Sequence, residues 1–317
     1  MKKYKFIINS INLNNRNRRF LEWLKAHMSK INVVFSYEYT KKASDAEKIA
    51  KNAVRKGYDV IVACGGDGTI RDVVNGMVNS DAVLGILPFG TSNDFAKHLG
   101  LKNIEKAAES LFNGRKIKID LGLAELSPKN KKIYFCSTSG IGFDAKLLML
   151  NNRKYFLLTK KLIGNIAYIL FGFLLLFSYS PNNAVIKFPK KSIKLRLFML
   201  NVNFVKQMSG MKVTPHADVC NGVFDIFISE EASLLKKISA FLWYRLIPKK
   251  INFREVNYIS KNQWSDNRFN LSNLKNLLIG SDKKIEVQLN GDFVGYTPVK
   301  LSIFPASLEV LVAKDKP

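Results

Sequence analysis

Gly65, Gly66, Asp67, Gly68 and Thr69 stand in a row between an apolar run, "DVIVAC", and a segment, "TIRDVVNGMV", whose apolar residues recur at helical spacing. Glycines at a strand-to-helix turn let backbone N–H groups approach an anion, and the helix N-terminus adds a favourable dipole. The row therefore suits phosphate, with one difficulty. A carboxylate such as Asp67 repels phosphate unless a cation lies between them, which points to a magnesium–nucleotide complex. The alternative is a glycine-rich turn in which Asp67 serves as a cap. Two common phosphate loops are excluded: no lysine follows the glycines as a Walker loop requires, and Arg71 stands where a dinucleotide loop needs its third glycine.

A second loop has the same logic. "LPFGTSNDFAKHLG", residues 87–100, runs from an apolar stretch through Gly90 and Thr91 to a helix start at Asn93 and Asp94. Its backbone and side chains supply further donors and another acid. Together the two loops describe a cleft with two phosphate-binding walls, and ATP with Mg2+ is its expected content.

"GGDGTIRDVVNG" followed by "GILPFGTSNDFA" resembles the catalytic domain of the diacylglycerol kinase family, which includes bacterial lipid kinases and sphingosine and ceramide kinases. Phosphofructokinases and NAD kinases share the short G-G-D-G element, but "VVNG" and "LPFGTSNDFA" point to the lipid branch. The similarity continues through "SGIGFDAKL", "HADVCNGVFDIFI" and "LNGDFVGYTPVKLSIFPASLEVLVA", so it spans nearly the whole chain.

That resemblance implies ATP-dependent phosphorylation of a lipid hydroxyl in a cleft between an α/β domain and a β-sandwich. Carried over by position, Gly65, Gly66, Asp67, Gly68 and Thr69 hold ATP and magnesium, with Asn9, Thr40, Gly90, Thr91 and Asn93 contacting the nucleotide. Asp72 stands where the family has glutamate, and Asp94 and Asp144 are cleft acids. The family's base lies in a D-G-E motif, which here reads Asn290, Gly291 and Asp292. Asparagine cannot act as the base, so Asp292 is the candidate. A structural magnesium site maps to Asp218, Asn221 and Val223, with Asn221 lacking the usual charge. The same loops also fit a soluble-acceptor kinase of the NAD kinase type. A non-catalytic lipid-binding protein is a further alternative, motivated by Asn290 and Asn221.

The elements that must position these residues follow from hydrophobic periodicity. Up to about residue 120, short β-branched runs alternate with amphipathic helices, which implies a doubly wound parallel sheet. Ser44 is expected to cap the helix "SDAEKIAKNAVRKG", which stops at Gly57. Beyond that point the runs are β-branched and aromatic, as in antiparallel strands. The expected fold is α/β plus all-β: an N-terminal nucleotide-binding domain over 1–120, rejoined by about 305–317, and a C-terminal antiparallel β-sandwich lipid-substrate domain over 121–304.

Fifty Lys and Arg against 25 Asp and Glu give a net charge of +25. Such a field attracts an anionic membrane surface. Basic residues gather at 129–132, 188–196 and 245–254. No RNA-binding aromatic signature, zinc finger or basic zipper is present, which argues against nucleic acid. Cys64, Cys136 and Cys220 are too dispersed for a disulfide framework or zinc site, so a cytoplasmic, peripherally membrane-associated protein is expected. Residues 162–186 carry no charge, but glycines, an asparagine and a proline interrupt them. They read as a buried or interfacial helix, with its apolar side either in the core or at a lipid entry site, in preference to a bilayer span.

Overall fold

Continuous apolar runs form the central strands, because a parallel strand covered on both faces has no polar side to show. The structure, a computed structural model, describes residues 1–30, 33–42, 44–128, 130–151, 166–189, 192–208, 211–231, 233 and 275–314. In the N-terminal part, β1 (Lys3–Asn9), β2 (Val34–Thr40), β3 (Val60–Gly65) and β4 (Val83–Pro88) alternate with α1 (Asn15–Met28), α2 (Asp45–Arg55), α3 (Asp67–Met77), α4 (Asp94–His98) and α5 (Ile104–Asn113). These strands pair in parallel in the order β2-β1-β3-β4, and β3 and β4 are buried throughout. This is the expected doubly wound α/β unit. Its loops leave the carboxyl ends of the strands, where such sheets bind ligands.

The C-terminal part is strand-rich, as its composition predicts. It contains β5 (Arg115–Leu126), β6 (Lys131–Phe135), β7 (Thr138–Gly142), β8 (Asn182–Lys187), β9 (Ser192–Asn203), the short pair β10 (Gln207–Met208) and β11 (Met211–Lys212), β12 (Asp225–Glu230), β13 (Asn276–Ser281), β14 (Glu286–Leu289), β15 (Asp292–Tyr296) and β16 (Val299–Val312). Its ladders are antiparallel. The last strand, β16, pairs with β5 and β13 and then meets β4 in parallel at Val310 and Leu84. Hydrogen bonding thus runs unbroken from β2 to β15.

Among the described residues of this part lie two helices, α6 (Phe143–Asn151) and α7 (Ile166–Ser178). Leu175 and Leu176 of α7 pack with Phe143 and Tyr179 in a small cluster beside the main core. At 13 residues, α7 is about 20 Å long. Among the described residues no helix is long and apolar enough to cross a membrane. Residues 162–165 of the charge-free run lie outside the described residues, as do Lys129, Lys190, Lys191 and the basic group at 245–254.

One local expectation is corrected. Ser44 does not cap α2: it sits at φ +66° and makes no capping hydrogen bond. Asp45 instead turns back and accepts the N–H groups of Lys41 and Lys42 at 2.9 Å each. An acid in the first turn gives the local chain a stronger acceptor than a serine hydroxyl.

Candidate active site

The two glycine loops touch through backbone. A side-chain carbon on Gly90 would overlap Gly66 Cα, so only glycine lets the β4–α4 loop close on the β3–α3 loop. Asp67, the first residue of α3, then spans the gap. Its Oδ1 accepts the Phe95 N–H at 3.1 Å and its Oδ2 the Asp94 N–H at 3.2 Å, two otherwise orphaned donors of the α4 N-terminus. The carboxylate expected on a metal therefore latches one loop to the other. Asn93, at φ +50°, shapes the same turn by donating to the carbonyls of Pro88 and Gly90.

Asn9, Thr40 and Thr69 meet at the neighbouring strand ends. Asn9 Nδ2 donates to Thr69 Oγ1 at 2.8 Å, and Asn9 pairs with Thr40 across β1 and β2. Gly65 gives Thr69 its room, since a side-chain carbon there would overlap the threonine. Thr91 is exposed at the cleft-side loop.

The third wall comes from the far end of the chain. Asn290 and Gly291 form a two-residue turn, with φ +49° and +85°, joining Leu289 to Asp292. Two positive φ angles match the right-handed twist of a hairpin, and Asn-Gly is the pair that adopts them most readily. Asn290 also does what an aspartate could not: its Nδ2 donates to the Asp67 carbonyl and to Cys136 Sγ, both at 3.4 Å, while its Oδ1 accepts the Ser137 N–H at 3.2 Å. The departure from the family's D-G-E thus has a structural job, tying the hairpin to the first loop.

Asp292 reaches the first turn of α3. A side-chain carbon on Gly68 would overlap Asp292 Oδ2, so the third glycine of the loop makes this approach possible. Arg71 holds it there: Nη1 lies 3.2 Å from Asp292 Oδ2 and donates to the Leu289 carbonyl at 3.1 Å. Nε and Nη2 of the same guanidinium grip Asp72 Oδ1 at 3.1 and 2.7 Å. Asp72 is thereby committed to Arg71, which sequence reasoning noticed only as a missing glycine. Its signal was present, a charged pair inside an otherwise apolar helix.

We expect Gly68→Ala and Gly90→Ala to separate. The first meets the movable end of Asp292, so turnover should fall about tenfold or more with thermal stability nearly kept. The second meets backbone, and melting should drop by several degrees, corresponding to about 1–3 kcal/mol. Paired melting curves and rate measurements check this.

Burial raises the Asp67 carboxyl to about 6, and Asp94 adds to the shift against the opposing N–H donors and Lys97. Because the folded value lies above the ordinary one near 3.9, this group's contribution to stability is fully present below about pH 4 and is lost as pH rises through about 6. Its effect on the loops has the opposite sense: a protonated Asp67 gives up an acceptor. The kcat/KM profile should therefore fall on acidification with an apparent pKa near 6, and a flat profile between about pH 5 and 7 would contradict the latch. The crowded first turn of α3 and Asp72 push Asp292 upward and Arg71 opposes them, although the Asp292 side chain is 54% exposed and solvent screens these effects. For Arg71, burial disfavours the charge, but Asp72 and Asp292 outweigh it and hold the guanidinium ionised.

The remaining acids lie elsewhere. Asp144 sits at the start of α6, buried against Asn201 and Gln288. Asp218, Asn221 and Val223 belong to the loop before β12, which Asp120 anchors by accepting the N–H groups of Gly222 and Ala306. Asp218 Oδ1 accepts the Cys220 N–H at 2.9 Å and Asn221 Oδ1 the Val223 N–H at 3.2 Å. One carboxylate and one amide, each accepting a backbone N–H, with the Val223 carbonyl as the third donor, bring a single negative charge to magnesium. Among the described residues no group of three or more His, Cys, Asp or Glu side chains could hold a metal ion. Among the described residues no disulfide joins the three cysteines, of which Cys64 and Cys136 are buried and Cys220 is exposed.

Comparison with known proteins bears on this arrangement. The family model for the diacylglycerol kinase catalytic domain matches residues 3–124. The chain is 29% identical over 279 residues to a Bacillus subtilis (strain 168) diacylglycerol kinase, covering 86% of this chain and 84% of that protein. It is 24% identical over 318 residues to the diacylglycerol kinase of Staphylococcus carnosus (strain TM300), covering 99% and 96%. A crystal structure of a diacylglycerol kinase from Bacillus anthracis str. Sterne superimposes with a TM-score of 0.71 at 18% identity, over 98% of this chain and 96% of that one, which shows the shared fold.

Proposed function

We propose that the chain, whose residues 3–124 match the family model of the diacylglycerol kinase catalytic domain, transfers the γ-phosphoryl group of ATP to the hydroxyl of a lipid, diacylglycerol or a close analogue. The observation that carries the proposal is Asp292, held by Arg71 at the first turn of α3, opposite the two glycine loops. ATP would lie against the N-terminus of α3, where backbone N–H groups can meet its phosphates, while those of α4 are taken by Asp67. Magnesium arrives with ATP as substrate, where it neutralises phosphate charge. Among the described residues no group of three or more His, Cys, Asp or Glu side chains offers it a separate cage.

Asp292 accepts the lipid hydroxyl proton while the hydroxyl oxygen bonds to the γ-phosphorus. The bond from that phosphorus to the β–γ bridging oxygen breaks, and ADP leaves. Such a transfer depends mostly on position and charge, with one carboxylate for the proton. An exposed, ionised carboxylate at the cleft is available to take that proton. Asn290 needs no proton-transfer role in this scheme, which weakens the case for a non-catalytic protein.

The lipid acceptor agrees with an apolar stripe on α7. Leu170, Leu174 and Phe177 are 42%, 54% and 54% exposed at positions i, i+4 and i+7. α7 packs on α6, whose Met149 accepts from the Tyr296 hydroxyl of β15, the strand that begins at Asp292. Lys187 and Lys194 are exposed on adjoining β8 and β9. We assign this side to an anionic membrane of a cytoplasmic, peripherally bound enzyme. Replacing the three apolar residues by serine should weaken binding to phosphatidylglycerol vesicles about tenfold in sedimentation assays without changing solution folding. Unchanged sedimentation would remove the stripe from the account.

The proposal is tested by supplying full-length protein with labelled ATP, magnesium and separate acceptors: diacylglycerol, phosphatidylglycerol, long-chain bases and NAD. Label in a lipid supports it. Label in NAD alone favours a soluble acceptor, and no transfer to any acceptor favours a binding protein.

A further inference from the structure

Gln288, Gly140 and Asn201 lie side by side across β14, β7 and β9. The middle position has no side chain, and Asp144 fills the space: a side-chain carbon on Gly140 would overlap Asp144 Oδ2. From there Asp144 Oδ2 accepts the amide groups of Asn201 at 2.9 Å and Gln288 at 3.2 Å. A carboxylate only accepts, so it dictates which way the Gln288 amide faces. With its NH2 toward Asp144, Gln288 must turn Oε1 away, and that oxygen accepts the Gly291 N–H at 2.9 Å. Gly291 is the second residue of the turn that delivers Asp292.

We infer that Asp144 and Gln288 are positioning residues for the base: the buried carboxylate fixes the amide, the amide fixes the Gly291 N–H, and the turn thereby presents Asp292 against α3. The inference rests on the kinase reading only for its effect on rate. Gln288 is fully buried and Asn201 likewise, so no water competes freely for these partners. The hairpin carries a second restraint, the Asn290 ties, on its other residue. Arg71 restrains Asp292 from the α3 side. Gln288 supplies the restraint from below the turn, and no other described side chain hydrogen-bonds the Gly291 amide.

The test uses full-length protein with Gln288→Ala, Asp144→Asn, the double variant, and Gln288→Glu as the conservative change that keeps an acceptor for Gly291. Hydrogen exchange of the segment holding Gly291 is measured first, because it does not depend on activity. Exchange about tenfold faster in Gln288→Ala and Asp144→Asn, with melting curves still cooperative, is expected. With ATP and a lipid acceptor, kcat should fall about 10–10²-fold while the KM for ATP stays within about twofold, because the nucleotide loops are untouched. The double variant should be no worse than Gln288→Ala, since the two act in series. Gln288→Glu keeps an acceptor for Gly291 but sets two carboxylates side by side, so it should recover Gly291 protection only on acidification, when the pair shares a proton. Unchanged exchange in folded Gln288→Ala overturns the inference whether or not the wild type is active. Faster exchange with unchanged kcat overturns its catalytic part. A wild type that phosphorylates no lipid overturns the kinase reading and leaves the exchange result to decide the relay.

Discussion

Asp292→Asn should lower kcat by about 10²–10⁴-fold while leaving the KM for ATP within about twofold. The substitution keeps size and removes only the ability to take a proton. Arg71 would still find an amide oxygen, so the hairpin should stay in place and melting should change little. The expected signature is a folded protein that binds nucleotide and does not turn over. Undiminished kcat would show that the proton goes to another group. A large rise in KM for ATP would mean that Asp292 acts by shaping the nucleotide loops, and would return the pair Arg71–Asp292 to a structural role.

Asp67→Asn should be nearly as damaging, by a different route. An amide offers one acceptor oxygen against the two N–H groups of Asp94 and Phe95, and its own NH2 faces one of them. One buried donor is left unmatched, at about 1–3 kcal/mol, and the α4 loop is released from Gly66. We expect loss of turnover by about 10²-fold or more together with a raised KM for ATP. Added magnesium separates the two roles that Asp67 can have. A metal ligand weakened by loss of charge is rescued by more metal, whereas a broken latch is not. Recovery of activity at high magnesium would therefore contradict the latch.

The N-terminal fold was legible because its signals are local. "DVIVAC" and "AVLGILPF" are short, continuous and apolar, and they become buried parallel strands. The glycine loops were legible for the same reason, since each glycine answers to a neighbour a few residues away. What stayed hidden depends on partners far along the chain. Arg71 meets residues 289 and 292, Asn290 meets 67, 136 and 137, and Asp144 meets 201 and 288. No periodicity records such pairings. Ser44 misled because serine before a helical run is a common cap, while a stronger local acceptor, Asp45, stood one residue further on. The two backbone donors that the acid of "CGGDGT" accepts lie 27 and 28 residues away, and nothing in the motif itself marks them.

The most direct check is the time course of label from γ-labelled ATP in the solvent-extractable lipid fraction, with full-length protein, magnesium and diacylglycerol. The account predicts steady accumulation of a labelled lipid phosphate with wild-type protein and almost none with Asp292→Asn. A lipid fraction without label above background, in the presence of folded, ATP-binding protein, would contradict it.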